Sequence, residues 1–159
     1  MGAEHILGLD LGTQCGWCLA EIDRRAMIGA GVWDCRENRF EGRGMRFIRF
    51  VSFLDKVHAT NPLKMVAVEE VHRHVATAAA HIYGGFLSHV QSWCERNKIA
   101  YTGVPVASIK KLATGKGNSK KDAMIAAANA KWPSAEIVDD NHADALWLTE
   151  YVLRSLVAA

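Results

Sequence analysis

Three groups of acids have the types and spacing that could do chemistry. Asp10 closes the apolar run HILGLD, Glu69 and Glu70 close a second run in KMVAVEEV, and the segment IVDDNHADALWL packs Asp139, Asp140, His142 and Asp144 into six positions. A carboxylate at the end of an apolar segment is costly unless a partner or a cation compensates it. Asp10 also opens the glycine-bearing stretch DLGTQCG, where an Asp side chain can bond nearby backbone N–H groups instead. Glu69 and Glu70 point to opposite faces of a strand, so one can join Asp10 while the other turns away. In the last segment, Asp139 or Asp140 suits the cap and positive end of a helix. Capping does not explain Asp144, a turn further in and on one face with Trp147, Leu148 and Tyr151. Asp140 and Asn141 lie four and three residues before it and can reach the same face. Carboxylates from distant segments that meet in this way offer hard oxygen ligands for Mg²⁺ or Mn²⁺. Two such ions about 4 Å apart can activate water and stabilise a leaving phosphodiester oxygen.

The elements that would position these acids follow from pattern. Apolar strand runs are expected at His5–Asp10, Trp17–Ile22, Met27–Trp33, Lys64–Val71 and Ile99–Val104, with Gly12 and Gly16 framing the first turn. Helical recurrence covers 42–60, 81–97, 105–113, 120–131 and 140–157, and Asn61-Pro62 and Trp132-Pro133 act as stops. Three strands in an antiparallel meander, followed by alternating helices and strands, predict an α/β fold with one mixed five-stranded sheet and helices on its faces. The 159 residues suit a single domain, 1–159, in which 50% hydrophobic residues supply a core. No apolar run reaches the length of a membrane span, and the N-terminus lacks a signal-peptide pattern, so no membrane association and a cytoplasmic location are expected.

Net charge is only +2, but the cations are clustered. Lys110, Lys111, Lys116, Lys120 and Lys121 fall in one acid-free stretch, and five arginines occupy 36–49 against Glu37 and Glu41. Such stretches can track phosphates, or can be plain solvated surface. Cys15-Gly-Trp-Cys18 is a lone CxxC without the second pair of a zinc site, and LAEI after it reads as strand, so reduced thiols are expected.

Four motifs, in order, resemble the RuvC family of Holliday junction resolvases: ILGLDLGTQCGW, VAVEEV, TGKGNSKKDAM and NHADALWL. The short, divergent sequence is more similar to phage-type members than to the common bacterial enzyme. The resemblance implies an RNase H-like fold, a homodimer, and Mg²⁺-dependent paired nicking of four-way DNA junctions. It assigns Asp10, Glu69 and Asp144 to metal binding and catalysis, and Lys121 to the catalytic lysine that opens a helix. The family's fourth ligand falls on Asn141; Asp140, an acid on the same face, is the favoured substitute. His72 stands where many members carry an aromatic wedge, and the triplet His72-Arg73-His74 joins Lys110, Lys111, Lys116 and Lys120 as candidate DNA contacts. LGLDLGT is also similar to the phosphate loop of actin-like and sugar-kinase ATPases, but those need two lobes. Another RNase H-like nuclease acting on flaps, single strands or hybrids, or a non-catalytic junction-binding module, are the alternative readings.

Overall fold

The structure, a computed structural model describing residues 2–159, is built on one five-stranded sheet. The strands are β1 (His5–Asp10), β2 (Gln14–Glu21), β3 (Ala26–Asp34), β4 (Leu63–Glu70) and β5 (Ala100–Pro105), in spatial order β3-β2-β1-β4-β5. The first three form the antiparallel meander, and β4 and β5 run parallel to β1. The helices are α1 (Met45–Thr60), α2 (Thr77–Asn97), α3 (Val106–Thr114), α4 (Lys121–Lys131) and α5 (Asp140–Ala158), with a 3-10 turn at Pro133–Ala135. The mixed α/β sheet expected from the sequence is therefore present.

Alternation along the strands divides the core in two. Leu7, Leu9, Val66 and Val68 face α1 and α2, where Phe50, Leu54, Phe86 and Trp93 are buried against them. Ile6, Ala20 and Ala67 face the other way, against Ile109 of α3, Met124 of α4 and Trp147 and Leu148 of α5. Asp10 and Glu69 continue this second face by the period of two.

Several boundaries depart from expectation. β2 begins at Gln14, so Gly16 lies inside a strand, opposite Asp10, and does not frame the turn. A Cβ on Gly16 would stand 2.0 Å from the Asn141 carbonyl oxygen, so the glycine is there to let α5 approach the sheet. Gly8 does the same one register step away: its Cβ would meet Thr149 Oγ1 at 2.2 Å. α2 begins at Thr77, because the run TAAA supplies good helix formers ahead of His81. Of the glycine pair in α2, Gly85 is used within the chain: a Cβ there would stand 2.6 Å from the Phe47 ring. Cys15 and Cys18 are buried, free and on opposite faces of β2, so the CxxC is part of the core.

Candidate metal centre

β1 and β4 are parallel neighbours, with Gly8 beside Ala67 and Leu9 beside Val68. The next pair in that register is Asp10 and Glu69, at the C-terminal ends of both strands and on the α5 face. Glu70 faces the α2 side, where its carboxyl group packs over Gly103. α5 delivers Asp144 to the same point. Its first turn is set by Asp139, whose Oδ1 accepts from the His142 backbone N–H at 2.9 Å, so Asp139 is the cap. His142 is turned into the core, where its Nδ1 accepts from the Val138 backbone N–H at 3.3 Å.

Asp10, Glu69 and Asp144 each bring an oxygen to within 4.8 Å of the other two. All three are partly buried. Burial is the main cause that pushes the Asp10 carboxyl well above its ordinary range, and the charges of Glu69, Asp144 and Asp140 add to it. A side-chain hydrogen bond with Glu69 raises Asp10 further. Glu69 is raised by burial, against the lowering effects of that bond and of Lys110. Asp144 is pushed up to about 7 by burial, then by Glu69 and Asp140, with Lys110 and Lys121 opposing. Desolvated acids that repel one another at one point make a site that positive charge would stabilise. The all-oxygen donor set fits a hard divalent cation.

Asp140 stands beside this trio. Its Oδ2 lies 2.8 Å from Lys121 Nζ, and its charge raises all three of the other acids. Lys121 opens α4 as the sequence suggested, is largely exposed, and is held protonated chiefly by its hydrogen bond to Asp140. Asn141 is partly buried, with its backbone over Gly16.

The candidate DNA contacts divide. Lys110 sits on α3 close enough to lower Glu69 and Asp144, nearer the acids than its place in a lysine run indicated. Lys111, Lys116 and Lys120 are exposed on and after α3. Gly115, at φ +82°, stops that helix, and Thr114 Oγ1 accepts from the Lys116 backbone N–H to close the loop. His72 and Arg73 are exposed just beyond β4, His72 lying 3.6 Å from Glu70, while His74 packs at 5.0 Å from the Tyr83 ring.

The arginine stretch is mostly not a free basic surface. Arg36 is paired to Asp34 at 2.6 Å, Arg46 is buried against Glu37 at 2.7 Å, and Arg49 pairs with Glu41. Sequence reasoning also passed over Tyr83. Its hydroxyl donates to the Glu69 carbonyl at 2.8 Å and accepts from the Val71 N–H at 3.3 Å, which clamps the end of β4. Nothing in the spacing of Tyr83 marks this. The isolated Gly16 within an apolar run was a readable sign of close backbone approach.

This sheet order, flanked by helices on both faces, is the fold of solved RuvC-like resolvases. It is similar to Thermus thermophilus RuvC in complex with a Holliday junction substrate, at TM-score 0.79 and 17% identity over 97% of this chain and 96% of that one. It is also similar to the yeast mitochondrial Holliday junction resolvase Ydc2 (TM-score 0.63, 16% identity, 94% and 77% of the chains). A third likeness is the Fowlpox virus resolvase in complex with Holliday junction DNA (TM-score 0.60, 15% identity, 96% and 99%). No family model matches the sequence, and no curated protein matches it. Among the described residues, no helix is long and apolar enough to cross a membrane.

Proposed function

We propose that this protein is a metal-dependent, structure-selective endonuclease that resolves four-way DNA junctions by hydrolysing phosphodiester bonds, in recombination, repair or phage DNA processing. One observation carries the reading: three desolvated carboxylates converge at the end of β1, β4 and the first turns of α5, in a fold shared along nearly its whole length with junction resolvases. Mg²⁺ or Mn²⁺, with two ions as the fuller complement, supplies Lewis-acid stabilisation and an activated water when bound. Asp10, Glu69 and Asp144 hold the cation, and Asp140 is the favoured fourth ligand over Asn141. Tyr83 and the Asp139 cap keep two of these carboxylates in place through their backbones.

Lys121 is already at the mouth of the site and carries its full charge, so its ammonium can face a phosphate where negative charge develops. Lys110 acts from α3 on the same carboxylates. Lys111, Lys116 and Lys120, with His72, Arg73 and His74, follow the DNA backbone. Paired nicking of opposite strands requires two sites facing them, which a twofold dimer supplies.

The test is cleavage of four-way, flap, duplex and single-stranded DNA, with Mg²⁺ and with chelator. Junctions should be cut in preference to the others, only with metal. Asp10→Asn should abolish cutting and leave junction binding largely intact. Equal cutting of flaps or single strands would point to another nuclease of this fold, and binding without cutting under any metal would point to a non-catalytic module.

A further inference from the structure

Phe40 is 94% exposed, in the segment 35–44 that joins β3 to α1. The chain around it is braced on both sides. Arg36 is locked to Asp34, Arg46 to Glu37, and Arg49 to both Glu41 and the Arg36 carbonyl, the last at 3.0 Å. These pairs engage the local acids and leave one cation unpaired at the ring. The Arg39 guanidinium lies 5.5 Å over one face of Phe40, and Arg39 has no acid partner among the described residues. Arg43, 92% exposed, forms a loose ion pair with Glu37 at 4.0 Å. A phenyl ring held in water with an unpaired arginine over it, on a segment tied down at its base, is built for contact.

The position favours one occupant. β3 ends opposite the start of β2, with Gln14 paired to Asp34. The Cys35 N–H donates to Thr13 O at 2.7 Å, and Asp10 is paired to Gly16. The segment therefore leaves the sheet at the end that carries the carboxylates, two strands or about 10 Å to the side. There the surface offers an aromatic ring with the Arg39 charge against it and the exposed Arg43 in the same segment. That is the composition that takes up an unpaired nucleotide, with the base on the ring and phosphates on the arginines. Paired bases within a duplex have both faces covered and cannot use it.

We infer that Phe40 is a stacking contact for an unpaired base at the branch of the DNA bound by this protein, with Arg39 and Arg43 holding the adjoining phosphates; this rests on the reading of the site as a DNA nuclease. The experiment uses the full chain in chelator, with a four-way junction carrying 2-aminopurine at the branch nucleotides and a duplex of equal length. Phe40→Ala should weaken junction binding by about fivefold or more, as loss of one base stack does. Duplex binding should stay within about twofold, and the emission change at one branch position should disappear. Phe40→Trp should restore both. Because the ring is exposed, neither variant is expected to disturb folding. Unchanged junction affinity and emission in Phe40→Ala would overturn the inference and leave the nuclease reading standing. So would equal losses on junction and duplex, or a changed sedimentation coefficient with intact DNA affinity, which would give the ring to a protein contact. Failure of the wild type to bind any DNA would overturn both readings.

Discussion

At the scale of single residues, the acids are arranged against their own ionisation. Asp144 titrates at about 7 in the folded chain, against about 3.9 when unfolded. Its folded value is the higher, so the stabilisation it gives is complete below about pH 4 and is lost as pH rises through 7. Asp144→Asn should therefore raise the stability of the metal-free protein at pH 8, by about 1–3 kcal/mol after allowing for partial solvent screening. The gain should shrink as pH falls toward 4. Thermal unfolding in chelator across this range checks it, and added Mg²⁺ should stabilise the wild type but not the variant. The fourth ligand is a second question at this scale. Asp140 carries charge but is engaged by Lys121; Asn141 is neutral and lies over β2. Asp140→Asn is expected to stop cleavage at any practical Mg²⁺ concentration, and Asn141→Ala to leave most of it. The reverse pair of results would make Asp140 only the partner of Lys121.

At the scale of elements, the site depends on how closely α5 lies on the sheet. Gly8 and Gly16 set that distance, because only hydrogen fits between β1, β2 and the helix. In Gly16→Ala, the new methyl group would meet the Asn141 carbonyl, and backbone cannot turn aside as a flexible side chain can. The first turns of α5 must shift, carrying Asp140 and Asp144 with them. A cost of about 1–3 kcal/mol in stability is expected from overpacking, with a larger effect on rate, about a hundredfold for an ångström of misplacement. Gly12→Ala is the control, since nothing lies within 4 Å of a Cβ there. Single-turnover cleavage beside denaturant unfolding separates the two effects; equal behaviour of both variants would show that α5 is not gauged by Gly16.

At the scale of the molecule, a net charge of +2 is too small to draw in DNA by itself. Binding must come from local cations, and affinity should fall steeply with salt. Assembly belongs to this scale too. Gly85 of α2 is filled by Phe47, but Gly84 is open, with nothing within 4 Å of a Cβ built on it. If a second copy approaches along α2, Gly84 is where it comes close. Gly84→Arg should leave the fold as stable or slightly more so, since glycine is a poor helix former. It should turn the proposed dimer into monomer by sedimentation and convert the proposed paired nicks into single ones. A dimer that survives Gly84→Arg places the twofold interface elsewhere.

The amino-acid order by itself determined the succession of strands and helices, because periods of two and of three to four are local properties of the chain. It also marked Asp10 and Asp144, each an acid where an apolar pattern has no use for one, and left the choice between Glu69 and Glu70 to the family resemblance. Their spread over more than 130 residues is what hid the rest. Only the parallel register of β1 with β4 puts Asp10 beside Glu69, and only the close seat of α5 brings Asp144 to them. The division of the arginines was likewise decided in three dimensions. Asp34, Glu37 and Glu41 take three of them out of the basic surface and leave Arg39 over Phe40. Charge runs along a sequence count residues, whereas pairing depends on which side chains the folded backbone holds within reach of each other.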